Sequence, residues 1–329
     1  MSKISGTHDE SDELWQKFLN NIETVRRKLG CDSGSRHEAW FRGHTKSSHH
    51  LLPSLFRNFE NPNSPDQWQK IWNIERDLFW EFTARARELH GVLDDDWDFL
   101  FAMQHYGTPT RLLDWTEVLG VAIYFATLGI DEQHDTNDAD PPCIWVMNPY
   151  RLNQSSWVES GDLIYPKVLG WDKDEETYYT YGELLMEDNI DWDWPVAIYP
   201  RQRNPRLHAQ RAWFTIHGDK FVSMESGSRH QHCLERVTLP FGAIRAAKRF
   251  LQIAGIDHYL LFADLESLSL HLREKNGLIS RGQAEDAAKR RLENREGPVP
   301  TPINRNSSIA KPINKTVRHK SKPVKPKTK

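Results

Sequence analysis

The sequence predicts an α+β fold, a single mixed domain with interleaved helices and short strands that ends in a disordered basic C-terminal tail. Three observations lead there. Apolar residues recur at three- and four-residue intervals in several long stretches, the spacing of one buried helical face. Short runs rich in β-branched and aromatic residues are scattered between those stretches rather than gathered in one block. Beyond residue 298, proline and lysine replace the apolar pattern, and so few apolar groups cannot offset the entropy of ordering.

The first helix is expected from Asp12 to Leu29, where Leu14, Trp15, Phe18, Leu19, Ile22, Val25 and Leu29 form a stripe; Gly30 ends it and Asp32 to Gly34 reads as a turn. Residues 1–39 are thus a helical extension packed on a domain that spans 40–272. Ala39 to Phe41 is a short strand leading into Arg42-Gly43. After a loop at Asn61–Pro65, a second helix runs from Gln67 to Leu89 on an apolar face that includes Trp68, Ile71, Trp72 and Phe79. Asp94 to Asp96 opens another helix, with its acidic groups near the positive end of the helix dipole. Pro109 biases Thr108 toward extended backbone. Trp115 to Leu128 reads as a buried helix whose Gly120, Ala122 and Ala126 permit close packing, and Asp131 to Pro142 as a polar loop.

Strands follow at Cys143–Met147, Pro195–Tyr199, Ala212–Ile216 and Leu234–Leu239, with an acidic loop at Asp172–Glu176. An extended segment would set Arg206, His208 and Gln210 on one face. Phe241 to Ala254 is a helix stopped by Gly255, Ile256 to Phe262 a short strand or buried turn, and Leu265 to Lys275 a helix. The body is expected to end near Leu272, with an exposed helix within 273–297 and the basic tail at 298–329.

Composition narrows the function classes. Of 329 residues, 38% are hydrophobic and 27% charged, and no apolar run reaches membrane-spanning length. The polar N-terminus lacks the hydrophobic block of a secretory signal. Cys31, Cys143 and Cys233 form no CxxC pair, so neither a disulfide framework nor a cysteine zinc site is indicated. These readings lead us to expect a cytoplasmic protein with no membrane association. The net charge of -3 conceals nine basic and no acidic residues after residue 298, which leaves the preceding part near -12. The tail could hold an anionic partner weakly, or act only as a solubilising extension. Phosphate loops of the GxxxxGK[ST] type, GxGxxG, GxSxG and HExxH are all absent, and no metal is assigned; His49-His50 and His230 with His232 lack a third close ligand.

Three groups of polar residues could carry chemistry. Arg42 could clamp a phosphate or carboxylate, or pair internally with a residue such as Asp114; His44 is a candidate ligand contact that could add a proton-transfer group beside it. Gln104, His105, Tyr106, Arg111 and Asp114 lie between two apolar anchors, where polar groups must be satisfied by one another or by a ligand. Here His105, Tyr106 and Asp114 are the candidate catalytic residues, and Gln104 and Arg111 candidate ligand contacts. An Arg111–Asp114 pair is the structural alternative. Arg206, His208, Gln210 and Arg211 form the third group, with Arg206 and Gln210 as its candidate ligand contacts.

The Trp-Phe-Arg-Gly of residues 40–43, the Leu-Leu-Pro-Ser-Leu of 51–55 and the Gln-His-Tyr-Gly-Thr-Pro-Thr-Arg-Leu-Leu-Asp-Trp of 104–115 together resemble the FRG domain family. Asn204 to Thr215 and Gly255 to Leu265 are similar to later blocks of that family, so the resemblance runs from about Trp40 to Leu272. Two positions depart: Arg211-Ala212 stands where family members often carry glycine, and Ala263 where proline is common. The resemblance implies no established reaction.

Arginines converging with glutamine and histidine suit a phosphorylated small molecule or nucleotide. The leading expectation is a nucleotide- or NAD-directed transferase or glycohydrolase-like effector, with NAD or another nucleotide as the group bound. Such chemistry needs a carboxylate near the sugar; Glu159 and Glu225 are available but nothing selects either. The alternatives are a noncatalytic ligand-sensing or protein-interaction domain, and a polar network that serves stability alone while function lies in the basic tail.

Overall fold

A computed structural model describes residues 5–32, 38–57, 59, 64–90, 95–131, 140–156, 166–168, 180–186, 193–200, 205–226 and 228–296. In chain order the elements are α1 (Ser5–Lys28), β1 (Trp40–His44), α2 (Ser54–Arg57), α3 (Pro65–His90), α4 (Asp96–Tyr106), β2 (Leu112–Thr116), α5 (Leu119–Thr127), β3 (Cys143–Met147), α6 (Pro149–Ser156) and β4 (Lys167–Val168). There follow α7 (Tyr181–Met186), β5 (Val196–Tyr199), α8 (Pro205–Ala209), β6 (Ala212–Ile216), β7 (Leu234–Thr238), α9 (Ile244–Ile253), α10 (His258–Phe262), α11 (Leu265–Lys275) and α12 (Arg281–Glu296). The α+β expectation holds, with helices and short strands interleaved along a single domain.

The strands form one seven-stranded sheet in the order β4-β5-β6-β2-β1-β3-β7. Every pairing is antiparallel except β4 with β5. Alternation along the strands sends successive side chains to opposite faces. Trp40, Leu113, Trp115, Trp145 and Met147 pack on one face, together with Leu152 of α6. The other face divides. On the β1-β3-β7 half, Phe41, Ile144, Val146 and Val237 meet α1, α5 and α9; on the β2-β6-β5 half, Leu112, Phe214, Ile216, Val196 and Ile198 meet α3, α4 and α7.

Gly43 lets α5 lie directly on β1, since a Cβ there would stand 1.9 Å from the Ala122 carbonyl oxygen. Beyond that contact the sheet loosens. β1 pairs with β3 along its full length, from Trp40–Met147 to His44–Cys143, but with β2 only at Phe41–Thr116. The separation of β1 from β2 past this point makes room for polar side chains in the middle of the sheet.

Several elements differ from the sequence expectation. The apolar run Trp115–Leu128 is not one helix. Leu112 to Thr116 is strand, bonded to β6 through five registered residues, and the helix begins only at Leu119. Trp115 alternates with Leu113 on one face and donates its indole N–H to Thr215 Oγ1 at 3.1 Å, so pairing across the sheet overrides local helix propensity. Arg206 to Gln210 is a helical turn rather than extended backbone, and Ile256–Phe262 ends in the short helix α10, capped by Asp257.

The folded body also passes the expected limit at Leu272. In α12, Ala284 and Ala288 are buried, Ala288 belongs to the core beneath α5 and α9, and Glu285 accepts from Lys248 Nζ at 2.6 Å; the helix is therefore packed, not exposed. Expectations for Glu159, for Asp172–Glu176 and for the 298–329 tail fall outside the described residues. Among the described residues no helix is long and apolar enough to cross a membrane.

Candidate functional site

The cleft where β1 and β2 part is lined from five directions. β1 gives Arg42, α2 gives Ser54 and Arg57, the end of α4 and its exit give Gln104, His105, Gly107 and Thr108, β2 gives Leu112 to Asp114, and α8 with the chain after it gives Arg206, Leu207 and Gln210. Phe214 of β6 and Leu292 of α12 complete the wall. The enclosed interior measures about 50 Å³ and the space including the open mouth about 640 Å³. That interior is well below the volume of a pocket that engulfs a drug-sized ligand.

Local backbone chemistry explains how α4 reaches the rim. Asp95 caps its start by accepting from Asp98 N–H at 3.0 Å. Its end is turned by Gly107, whose φ of 82° is left-handed, and by the Thr108 N–H donating to the Met103 carbonyl at 2.9 Å. The chain therefore stops just after Gln104 and His105 and doubles back into β2.

The polar groups of the cleft are tied to one another and to the backbone around them. Thr110 Oγ1 donates to Gln104 Oε1 at 2.5 Å, and Gln104 Nε2 donates to Asp114 Oδ2 at 2.8 Å. Arg42 Nη1 donates to the Asp114 carbonyl at 2.6 Å and stands 3.7 Å from Asp114 Oδ2, so the internal pairing weighed for Arg42 does form. Arg42 Nε donates to His44 Nε2 at 3.2 Å. Arg57 Nε donates to the Leu52 carbonyl at 2.9 Å. The Arg206 guanidinium lies 4.8 Å from the Phe262 ring centre, a cation–π contact. Gln210 Nε2 donates to the Leu261 carbonyl at 3.0 Å.

Of the residues singled out in the sequence, Arg42, Gln104, His105, Asp114, Arg206 and Gln210 share this cleft. Arg206 and Gln210 meet there as neighbours four apart on a helical turn, not as alternating strand positions; His208 points to solvent. Tyr106 is 51% exposed, does not line the cleft, and packs edge-on against His105. His44 is buried behind Arg42.

Arg111 is elsewhere. Its side chain is fully buried, donates Nε to Glu75 Oε1 at 2.7 Å and Nη2 to Glu75 Oε2, and donates Nη1 to the His217 carbonyl at 2.9 Å. Burial opposes its charge, but Glu75 more than restores it and holds the guanidinium pKa above the usual arginine value. Arg111 thus pairs with Glu75 and not with Asp114. Glu225, a candidate carboxylate, is likewise away from the cleft: it accepts from His50 and from the Leu51 N–H.

Arg57 takes the place expected of Arg111. The signal was present, since Arg57 lies two residues beyond the Leu51–Leu55 block. With it, three guanidinium groups and one carboxylate, Asp114, line the cleft among the described residues, and the balance is cationic. The same residues contain no group of three or more His, Cys, Asp or Glu side chains placed to hold a metal. Cys31, Cys143 and Cys233 are buried apart from the cleft, and burial pushes their thiols up to about 11, 11 and 12.

Residues 37–135 match the family model described as FRG domain. The match covers Arg42, Arg57, Gln104, His105 and Asp114; Arg206, Gln210 and Leu292, which close the cleft, lie beyond it. No curated protein and no solved structure matches the chain.

Proposed function

We propose that the cleft binds the anionic group of a phosphorylated small molecule or nucleotide. One observation carries this reading: Arg42, Arg57 and Arg206, from three separate elements, line a single cleft that contains only one carboxylate among its described residues. Guanidinium groups held by the protein recognise phosphate and carboxylate oxygens through paired N–H donors, and little side-chain entropy remains to be lost on binding. The mouth leaves room for a base or sugar beside His105 and Thr108.

A catalytic version is favoured by Asp114. Its side chain is 45% exposed, and Gln104 fixes one oxygen. Beside a bound NAD or nucleotide it would be the carboxylate that faces positive charge developing at a sugar carbon, as a transferase or glycohydrolase requires, with His105 as the group that exchanges a proton. Without turnover the same cleft serves a noncatalytic sensing domain.

The test is a titration of the purified protein with NAD, ADP and ATP, followed by thermal unfolding and by chromatography of the nucleotides. Saturable stabilisation that falls about tenfold in apparent affinity in Arg42→Gln and Arg206→Gln supports the binding reading. Product formation that Asp114→Asn abolishes while binding persists supports catalysis. An unchanged unfolding midpoint with every nucleotide at millimolar concentration removes both.

A further inference from the structure

The separation of Trp40, Arg42 and His44 by two residues along β1 places all three on one face of the strand. His44 does not line the cleft, yet its Nε2 lies 3.2 Å from Arg42 Nε, and Arg42 does line it. An arginine Nε always carries its hydrogen, so the imidazole nitrogen opposite it must offer a lone pair. That assignment leaves the ring one proton, on Nδ1. The Nδ1 atom is buried and makes no hydrogen bond of full geometry among the described residues.

We infer that His44 is a positioning residue: its neutral ring, protonated on Nδ1, accepts the Arg42 Nε–H and, with the Asp114 carbonyl on Nη1, fixes the plane of the Arg42 guanidinium at the cleft wall. Two acceptors on different edges of one planar group stop it from turning about its last side-chain bonds. The surroundings agree. His44 is 7% exposed; burial first, then the charges of Arg42, His49 and Arg57, hold its pKa well below the ordinary histidine value, against a weaker opposing effect of the His49 backbone. A charged ring at this place would face the Arg42 guanidinium without a lone pair to offer it. The inference rests on the anion-binding reading for its consequence, but not for its geometry.

The two parts can be tested separately. Long-range proton–nitrogen NMR spectra of the ligand-free protein report the tautomer of His44, and hydrogen exchange at Arg42 Nε reports its bond. The expected result is an Nδ1–H ring and a protected Arg42 Nε–H. In His44→Gln, whose side-chain oxygen can stand where Nε2 stood, protection is retained and the affinity for ADP changes by less than about threefold. In His44→Phe, which keeps the ring shape without the acceptor, protection is lost and ADP affinity falls about tenfold. An Nε2–H tautomer in the wild type, or a Phe variant with Arg42 Nε–H still protected, overturns the inference. Loss of ADP binding already in the wild type, with the tautomer and protection as expected, instead removes the proposed function and leaves the positioning role standing.

Discussion

Arg111→Met separates a core role from a ligand role more sharply than any change in the cleft. Arg111 and Glu75 have side-chain exposures of 0% and 2%, so neither charge can turn to water when its partner is removed. The substitution deletes both charge-assisted bonds to Glu75 and the bond to the His217 carbonyl, and takes the guanidinium from its place 4.7 Å from the Trp72 ring centre. Of the hydrogen bonds to the Glu75 carboxylate, that from Tyr181 OH to Oε1, at 2.5 Å, would remain. Removing one partner of a buried ion pair costs about 3–5 kcal/mol, a large fraction of a typical domain's stability of about 5–15 kcal/mol.

The double change Glu75→Met with Arg111→Met removes both charges. It strands only neutral groups, chiefly the Tyr181 hydroxyl, at about 1–3 kcal/mol. The double variant is therefore expected to be more stable than Arg111→Met alone, an outcome that additive losses cannot produce. Urea unfolding followed by tryptophan fluorescence measures all four proteins. A cost below about 1 kcal/mol for Arg111→Met, or a double variant as weak as the sum of the singles, would refute the account of Arg111 as a core ion pair.

Three other changes have defined outcomes. Ala263 holds a left-handed φ of 49°, so Ala263→Gly should raise stability by about 0.5–1 kcal/mol in chemical denaturation, whereas Ala263→Pro, whose ring forbids positive φ, should lower it by about 2 kcal/mol or more. Burial pulls the Asp264 carboxyl upward, but hydrogen bonds from Arg291 and from Ser267 outweigh it and hold the pKa below the usual carboxylate range. A depressed folded-state pKa gives stability that is complete above the unfolded value and is lost as the pH falls through the folded one. Asp264→Asn should therefore narrow the loss of stability below about pH 4, read from unfolding midpoints across an acid series. Truncation after Leu272 removes the buried Ala284 and Ala288 and should lower the unfolding midpoint, while truncation after Pro298 should leave cooperative unfolding intact; equal midpoints for the two would show that α12 adds nothing to the body.

The long helices were legible because burial follows one face: Phe18, Ile22, Val25 and Leu29 of the α1 pattern, and Ile71, Trp72 and Phe79 of α3, are buried as their spacing requires. Strands β3, β5, β6 and β7 were legible from β-branched and aromatic runs bounded by turns. The start of the run from Trp115 to Leu128 was not, because a short, largely apolar stretch fits a buried strand and a buried helix equally well, and only the partner strand β6 decides. α12 was read as exposed because its few apolar residues look too sparse for a packing face. Two alanines four apart, Ala284 and Ala288, nevertheless bring it flush against the body. At Arg211 the departure from a position often occupied by glycine coincides with a left-handed φ of 42°, so the resemblance marked the position although the residue itself gives no sign of the strain.

The site shows a more general limit. Arg42, Arg57, Arg111 and Arg206 are chemically identical in the sequence, and which of them lines the cleft depends on how the chain folds in three dimensions. Glu75, thirty-six residues before Arg111, faces it across the core and takes both edges of its fork. Asp114 is paired with Arg42 more loosely: the Oδ2 that stands 3.7 Å from Arg42 is the oxygen held by Gln104 Nε2, and Arg42 binds the Asp114 backbone carbonyl more closely, at 2.6 Å. That difference matters chemically. A guanidinium neutralised by a bidentate carboxylate is consumed as an anion receptor, whereas one anchored by carbonyl oxygens and a neutral imidazole keeps its net charge. Arg42 has the Asp114 carbonyl and His44 among its anchors beside the looser contact to the Asp114 carboxylate, and Arg57 has the Leu52 carbonyl among its own. The separation of β1 from β2 makes that arrangement possible, since it opens the centre of the sheet wide enough for charged side chains without exposing them fully to water.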